Sequence, residues 1–212
     1  MKILVTAGPT REPIDPARFI SNESTGKMGY AVAEASRDRG HQTVLISGPV
    51  SLEAPAGIRV VRIRTALQMK DAVADELSSC DALVMAAAVC DWRPAVCSSR
   101  KISKSDIQSS LELAPNPDIL ENIKGLKGER IFVGFAAETR DILKNARSKL
   151  SRKGLDMIVA NSITGEDSAF GSDSNRITML DSNGAVEELP LMSKKIAGIR
   201  IIEWIEKKAS IS

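Results

Sequence analysis

Histidine is nearly absent from this chain: His41 is the only one among 212 residues. It follows Arg39-Gly40 at an expected helix end, where a surface position is the ordinary outcome, so no histidine-based acid, base or metal centre is on offer. Cysteine is almost as sparse. Cys80, Cys90 and Cys97 form neither a C-x-x-C pair nor an even set, which sets aside a disulfide framework and a zinc site and fits a reducing compartment. No apolar run approaches the roughly 18 residues of a membrane span. The longest lies near Ala82 to Val89, and the N-terminus lacks the separate basic and apolar regions of a signal peptide. A cytosolic (cytoplasmic) protein is expected. A concentrated basic face is missing too: 29 basic against 27 acidic residues leave a formal charge of +2, which gives no reason to expect nucleic acid. Internal repeats and low-complexity segments are also lacking.

What is present is a chain 43% hydrophobic, long enough for one well-buried core and too short for two ordinary domains with a linker. A single domain over residues 1–212 is expected. Strand and helix patterns alternate, with strands near Lys2–Ala7, Thr43–Ser47 and Val60–Ile63 and helices near Gly26–Arg39 and Ala66–Leu77, the latter capped by Thr65. Ala82 to Ala88 is continuously apolar and reads as a central strand buried on both faces. Residues 91–116 are polar and weakly patterned, longer than most connections, and read as a functional flap. A short helix near Asp118–Ile123, a strand near Ile131–Phe135, a helix near Ile142–Arg152 and a strand near Met157–Ala160 follow. Arg176–Leu180 and Ala185–Leu189 flank an Asn-Gly turn and predict a hairpin, and Ser193 can cap a last helix carrying Ala197, Ile201, Trp204 and Ile205 on one face. The pattern predicts an α/β fold: a Rossmann-like, mainly parallel sheet with helices on both faces, extended by a C-terminal β-hairpin.

The first ligand loop of such a fold follows its first strand. Here it runs Gly8-Pro9-Thr10-Arg11-Glu12-Pro13-Ile14-Asp15-Pro16, then Arg18-Phe19-Ile20-Ser21-Asn22-Glu23-Ser24-Thr25-Gly26-Lys27-Met28-Gly29. It has no G-x-G-x-x-G and is much longer than a dinucleotide-binding turn. Further blocks are Ala86-Ala87-Ala88-Val89-Cys90-Asp91-Trp92-Arg93-Pro94, Lys101-Ile102, Asn116-Pro117-Asp118-Ile119, Val133-Gly134-Phe135-Ala136-Ala137-Glu138-Thr139 and Ile158-Val159-Ala160-Asn161. Together they span nearly the whole chain, which closely resembles phosphopantothenate-cysteine ligase (phosphopantothenoylcysteine synthetase), the second activity of the bacterial bifunctional coenzyme A biosynthesis flavoprotein.

That resemblance implies CTP-dependent ligation of 4'-phosphopantothenate and L-cysteine. The carboxylate is activated as an acyl-cytidylate with release of pyrophosphate, and cysteine then displaces CMP. Fixed cations, backbone N–H groups and Mg2+ suit the charge that builds on the α-phosphate and leaving group. Asn22 and Lys101 are implied as catalytic residues. The implied nucleotide contacts are Met85, Ala86, Ala87, Asp91, Lys101, Pro117, Asp118, Ile119, Leu120, Phe135, Lys149 and Lys153. Arg18, Asn22 and Ala88 match positions associated with the phosphopantothenoyl group. Asp91 follows the central strand and can hold magnesium or nucleotide hydroxyls, although aspartate is also a common turn residue. Pro117 to Leu120 open a short helix whose N–H groups suit an anion, and equally form an ordinary proline-led start. Phe135 by itself reads as core, and Lys149 and Lys153, four apart, as a solvated face. Two positions depart from the family: Cys90 replaces its usual alanine, and Ser103 stands where many members have a lysine, which lowers the charge of the flap.

The resemblance further implies a homodimer, with the hairpin region at the interface, and a flavin-dependent decarboxylase domain as a fused or separate partner. The sequence leaves open whether the chain stands alone or is half of a fused protein. A nicotinamide-dependent oxidoreductase lacks two parts here, the compact glycine fingerprint and an acidic residue after the second strand, which ends Ile46-Ser47-Gly48-Pro49. A non-catalytic nucleotide-binding module remains the alternative of another class.

Overall fold

The computed structural model describes residues 1–104, 110–138, 142–162 and 172–211. Thr139 of the block Val133–Thr139 and the flap residues at 105–109 lie outside the described residues. The first strand, β1 (Lys2–Ala7), is followed by a short antiparallel hairpin of β2 (Arg11–Pro13) and β3 (Phe19–Ser21), which the sequence did not announce. Helix α1 (Lys27–Asp38) comes next, then β4 (Gln42–Ser47), β5 (Arg59–Arg62) and α2 (Ala66–Leu77). Thr65 caps α2 as expected, and its side chain and that of Gln68 form a reciprocal capping box that satisfies amides at the helix start. Buried Glu12 adds to this cap, its Oε1 accepting the Ala66 N–H at 2.9 Å.

Strand β6 is shorter than its apolar run. It covers Ala82–Met85, and residues 86–88 leave the sheet. The cause is Thr6, whose Oγ1 accepts the Ala87 N–H at 3.2 Å one residue past the last β1–β6 pair, Thr6 with Met85. Ala88 then bridges the first loop, donating to the Gly8 carbonyl at 2.9 Å and accepting from Thr10 N–H at 3.1 Å. The flap contains a ribbon that its polar sequence concealed, β7 (Trp92–Pro94) paired antiparallel with β8 (Leu113–Pro115). Helix α3 (Ile119–Ile123), β9 (Ile131–Glu138), α4 (Ile142–Lys153) and β10 (Met157–Ser162) complete the central part. The last third holds β11 (Ser174–Asn175), the hairpin β12 (Ile177–Asp181) and β13 (Val186–Glu188), then β14 (Met192–Ser193) and α5 (Lys194–Ala209), capped by Ser193. The helices of the described residues include none long and apolar enough to cross a membrane.

The main sheet runs β13-β12-β10-β9-β6-β1-β4-β5, parallel from β5 to β10 and antiparallel at β12 and β13. Its parallel part has the strand order of dinucleotide-binding sheets, in which the chain leaves β1 toward one edge and later returns to β6 on the other side. Alternate residues of β1 divide between two cores. Ile3, Val5 and Ala7 face α1 and α5, while Leu4 faces α2, α3 and α4, so both faces are covered. Helix α1 lies close against β1 because residue 29 is glycine: a Cβ there would sit 2.5 Å from Ala7 Cβ and 2.8 Å from the Thr6 carbonyl oxygen. Gly26, with φ of 79°, makes the turn into α1 beside Gly8.

Candidate functional site

Open parallel sheets bind ligands beyond the C-terminal strand ends, where the strand order reverses. At this point, between β1 and β6, the molecule has a cleft of about 770 Å³. One wall is the loop Asn22–Gly26 with the first turn of α1, and the floor is the segment 85–92 leaving β6. Asn116 to Leu120, Phe135 and the α4 lysines 149 and 153 close another side. The cleft thus gathers thirteen of the sequence-indicated residues: Asn22, Met85, Ala86, Ala87, Ala88 and Asp91, together with Pro117, Asp118, Ile119, Leu120, Phe135, Lys149 and Lys153.

The floor is tied down by side chains from three segments. Thr10 Oγ1 accepts the Cys90 N–H at 3.0 Å, and Asn116 Nδ2 donates to the Cys90 carbonyl at 2.9 Å. The Asn116 N–H donates to the Asp91 carbonyl at 2.8 Å, which ties the β6 exit to the approach to α3. Asn22 Nδ2 donates to the Ala88 carbonyl at 3.0 Å and brings the first loop onto the same floor. Cys90 is buried in this packing, and burial pushes its thiol up, which suits a small structural residue rather than a nucleophile. All three cysteines are free, and burial also raises the Cys80 thiol, to about 11.

Asp118 caps α3 with its own carboxylate, accepting the Glu121 N–H at 3.2 Å, and pairs with Lys153 at 3.0 Å. One of the amides expected to be open to a ligand is therefore already taken, and α3 is only five residues long. Phe135 fills both of its readings, packing on the core and lining the cleft.

Arg18 and Lys101 do not line the cleft. Arg18 forms an ion pair with the fully buried Asp15 carboxylate and donates through Nη2 to the Ile102 carbonyl at 3.0 Å. Lys101 is exposed, next to this anchored Ile102. Sequence reasoning also missed Lys27, Lys194, Asn161 and Asn175, which all line the cleft. Lys27 pairs with Asp173 at 2.6 Å, and Lys194 Nζ donates to the Ser172 carbonyl at 2.5 Å. Their signal was faint: Lys27 starts α1 within the first block, and Lys194 directly follows the Ser193 cap.

Among the described residues no three His, Cys, Asp or Glu side chains cluster as a resident metal would require. Asp91, an exposed carboxylate on the cleft floor, nonetheless fits Mg2+, which usually takes one or two protein carboxylates and completes its shell with water and phosphate oxygens.

The profile of a family described as the DNA/pantothenate metabolism flavoprotein C-terminal domain matches residues 1–209. The coenzyme A biosynthesis bifunctional protein CoaBC of Bacillus subtilis is 45% identical over 96% of this chain and 50% of its own length. The CoaBC of Vibrio vulnificus is 42% identical over 96% of the chain and 51% of its own length. The chain thus spans about half the length of these relatives. The crystal structure of the C-terminal domain of a CoaBC protein superposes with a TM-score of 0.86 at 37% identity, covering 100% of this chain and 96% of that one.

Proposed function

Because the chain belongs to the family of the DNA/pantothenate metabolism flavoprotein C-terminal domain, we propose that it is the ligase that joins 4'-phosphopantothenate to L-cysteine at the expense of CTP. The observation that carries this reading is the cleft at the strand-order reversal, where a floor of small residues, Ala86 to Ala88, meets Phe135, Asp91 and the lysines 149 and 153. Small residues let a flat pyrimidine approach the backbone, and the cations suit its phosphates. Likeness to the C-terminal domain of CoaBC along the whole chain supports the same reading. A decarboxylase domain, fused or separate, and a second copy of this chain are its expected partners.

In the first half-reaction the substrate carboxylate attacks the α-phosphorus of CTP, and the bond to pyrophosphate breaks. Asp91 would hold Mg2+, which would supply charge neutralisation on the leaving group. Lys149 and Lys153 hold the nucleotide, with Asp118 fixing the Lys153 ammonium. Lys101 stands outside the cleft in this structure, and its long stem, swung inward from the anchored Ile102, would bring a further charge to the α-phosphate. In the second half-reaction the cysteine amine attacks the acyl carbon, CMP leaves with the bridging oxygen, and the amine loses a proton. Asn22 turns its amide toward the site from the Ala88 carbonyl and can donate to the acyl oxygen as negative charge develops.

The nicotinamide alternative has little room despite the matching strand order. A Cβ on Gly48 would lie 1.9 Å from the Pro9 carbonyl oxygen, so the first loop occupies the space beyond β4 where a dinucleotide's ribose would be read. The deciding experiment follows pyrophosphate from CTP and 4'-phosphopantothenate without cysteine, then CMP and product after cysteine is added. Both releases are expected; nucleotide binding without turnover would instead mean a non-catalytic module.

A further inference from the structure

The Asp91 carboxylate is exposed on the cleft floor, and among the described residues it accepts no hydrogen bond and joins no ion pair. What aims it is the backbone. With both peptide units next to its Cα fixed, φ and ψ are fixed, and so is the line along which the side chain leaves, with only the staggered rotamers left to choose from. One residue holds both of those peptide units. Asn116 Nδ2 donates to the Cys90 carbonyl at 2.9 Å, and the Asn116 N–H donates to the Asp91 carbonyl at 2.8 Å. Thr10 Oγ1 accepts the Cys90 N–H at 3.0 Å, so Cys90 is held on both its polar groups.

Asn116 is itself locked. The Arg93 guanidinium donates through Nη1 to Asn116 Oδ1 at 3.1 Å and to the Pro115 carbonyl. A flipped Asn116 amide would set its NH2 group against the guanidinium and its oxygen against the Cys90 carbonyl, two repulsive contacts in place of two hydrogen bonds. Arg93 reaches this amide because the β7–β8 ribbon pairs it with Ala114, which lays residues 91–93 beside 114–116 at the root of the flap. Arg93 stands outside the cleft, whereas Asn116 lines it. The circuit thus runs from a guanidinium behind the floor, through one amide and the peptide units it grips, to a carboxylate on the floor.

We propose that Asn116, locked by Arg93, is a positioning residue that aims the Asp91 carboxylate at the nucleotide and thereby sets the rate of the first half-reaction. The proposal rests on the ligase reading and adds to it the side chains that keep its acidic group in a working direction. Neither Asn116 nor Arg93 is asked to touch the reacting atoms. Misplacing a group by about 1 Å typically costs on the order of 100-fold in rate, so a two-point grip on the Asp91 backbone is enough to matter.

The test is a double-mutant cycle on the whole chain, Asn116→Ala with Asp91→Asn, read both by pre-steady-state pyrophosphate release and by calorimetric titration with CTP in the presence of Mg2+. Asn116→Ala keeps the backbone N–H bond and removes the amide, so its melting temperature should fall by only about 2–4 °C. It should slow pyrophosphate release about 10- to 100-fold and weaken CTP binding about three- to tenfold. In the Asp91→Asn background the same change should cost less than about twofold in either measurement, because the carboxylate it aims is gone. Arg93→Met removes the lock without touching the floor. It should lower the rate less than Asn116→Ala does and add nothing when combined with it. Losses that multiply across the Asn116–Asp91 cycle would overturn the assignment, because Asn116 would then act through Pro117 to Leu120 or through the fold; so would wild-type release and affinity in Asn116→Ala. Wild-type protein that binds CTP without releasing pyrophosphate would refute the ligase reading separately. The affinity cycle then decides the positioning role alone: a cost of Asn116→Ala that disappears in Asp91→Asn supports it, and an equal cost in both backgrounds rejects it.

Discussion

Asp15 holds Ile102 across 87 residues of sequence, its Oδ2 accepting the Ile102 N–H at 3.2 Å. The same carboxylate is gripped by the Arg18 guanidinium, which reaches on to the Ile102 carbonyl, so the first loop clasps both polar groups of one flap residue. Its other oxygen closes the loop on itself, accepting from the Ala17 and Arg18 amides at 2.8 and 2.9 Å. The flap is thus anchored immediately beside Lys101.

This clasp should persist in acid. Arg18 above all, with the three backbone amides, holds the Asp15 carboxyl well below its ordinary value of 3.8. A depressed folded-state pKa contributes stability that is complete above the unfolded value, near pH 4, and is lost as pH falls through the folded value. Asp15→Asn should therefore speed hydrogen exchange at the Ile102 amide, compared at one pH, throughout the range from 5 to 8. Wild-type protein at pH 5 should retain the protection. Identical exchange in the two proteins would show that the flap is held by other contacts.

Lys101→Gln tests what the clasp is for. The substitution keeps most of the length and removes the charge, and loss of one preorganised electrostatic contact typically lowers a rate on the order of 100- to 1000-fold. We expect that loss in the pre-steady-state release of pyrophosphate, softened if Lys104 substitutes in part. A normal first step would remove Lys101 from the chemistry and leave it a solvated flap lysine.

Much of this arrangement was legible in the sequence, and the exceptions have physical causes. The strand Lys2–Ala7 and the helix Ala66–Leu77 with its Thr65 cap follow from periodicity and local hydrogen bonding, which a single segment contains. The overlong central strand was misread because apolar character reports burial, whereas the departure of Ala86 to Ala88 from the sheet is set by Thr6 on a different strand. Gly8, Gly26 and Gly29 do the work of a glycine fingerprint, for tight turns and close helix packing, but the β2–β3 hairpin inserted between the first two hides their spacing. Arg18 illustrates the reverse limit: family resemblance marks it as a substrate contact, while its visible partners are Asp15 and Ile102, a relationship no local pattern encodes. Lys194 and Asn175 reach the cleft only through the fold of the last third.

Gly29→Ala should test the packing role of that dispersed fingerprint. The added methyl meets Ala7 Cβ at 2.5 Å and the Thr6 carbonyl oxygen at 2.8 Å, neither of which lies at the end of a flexible side chain. Helix α1 must shift away from β1, at a cost of about 1–3 kcal/mol. Urea denaturation should show that loss, and because α1 starts at the cleft, the KM for substrates should rise as well. A midpoint equal to wild type would mean that the helix accommodates the methyl without strain.

Asn22→Asp separates the two half-reactions. Asn22 donates to the Ala88 carbonyl at 3.0 Å, so its amide sits where the first loop meets the cleft floor, with its oxygen and second N–H available to other partners. An aspartate of the same size has no proton to give that carbonyl at neutral pH, and its charge would oppose an oxyanion developing nearby. The residues on α3 and α4 proposed to hold the nucleotide are untouched by the change, so CTP affinity should stay within about threefold of wild type, a difference below 1 kcal/mol. Conversion of the acyl-cytidylate to product should fall on the order of 100-fold or more, with the intermediate accumulating after a pyrophosphate burst. Rapid-quench measurement of both steps is decisive: wild-type rates in each would refute a catalytic role for Asn22, and a parallel fall in CTP affinity would place its contribution in nucleotide binding instead.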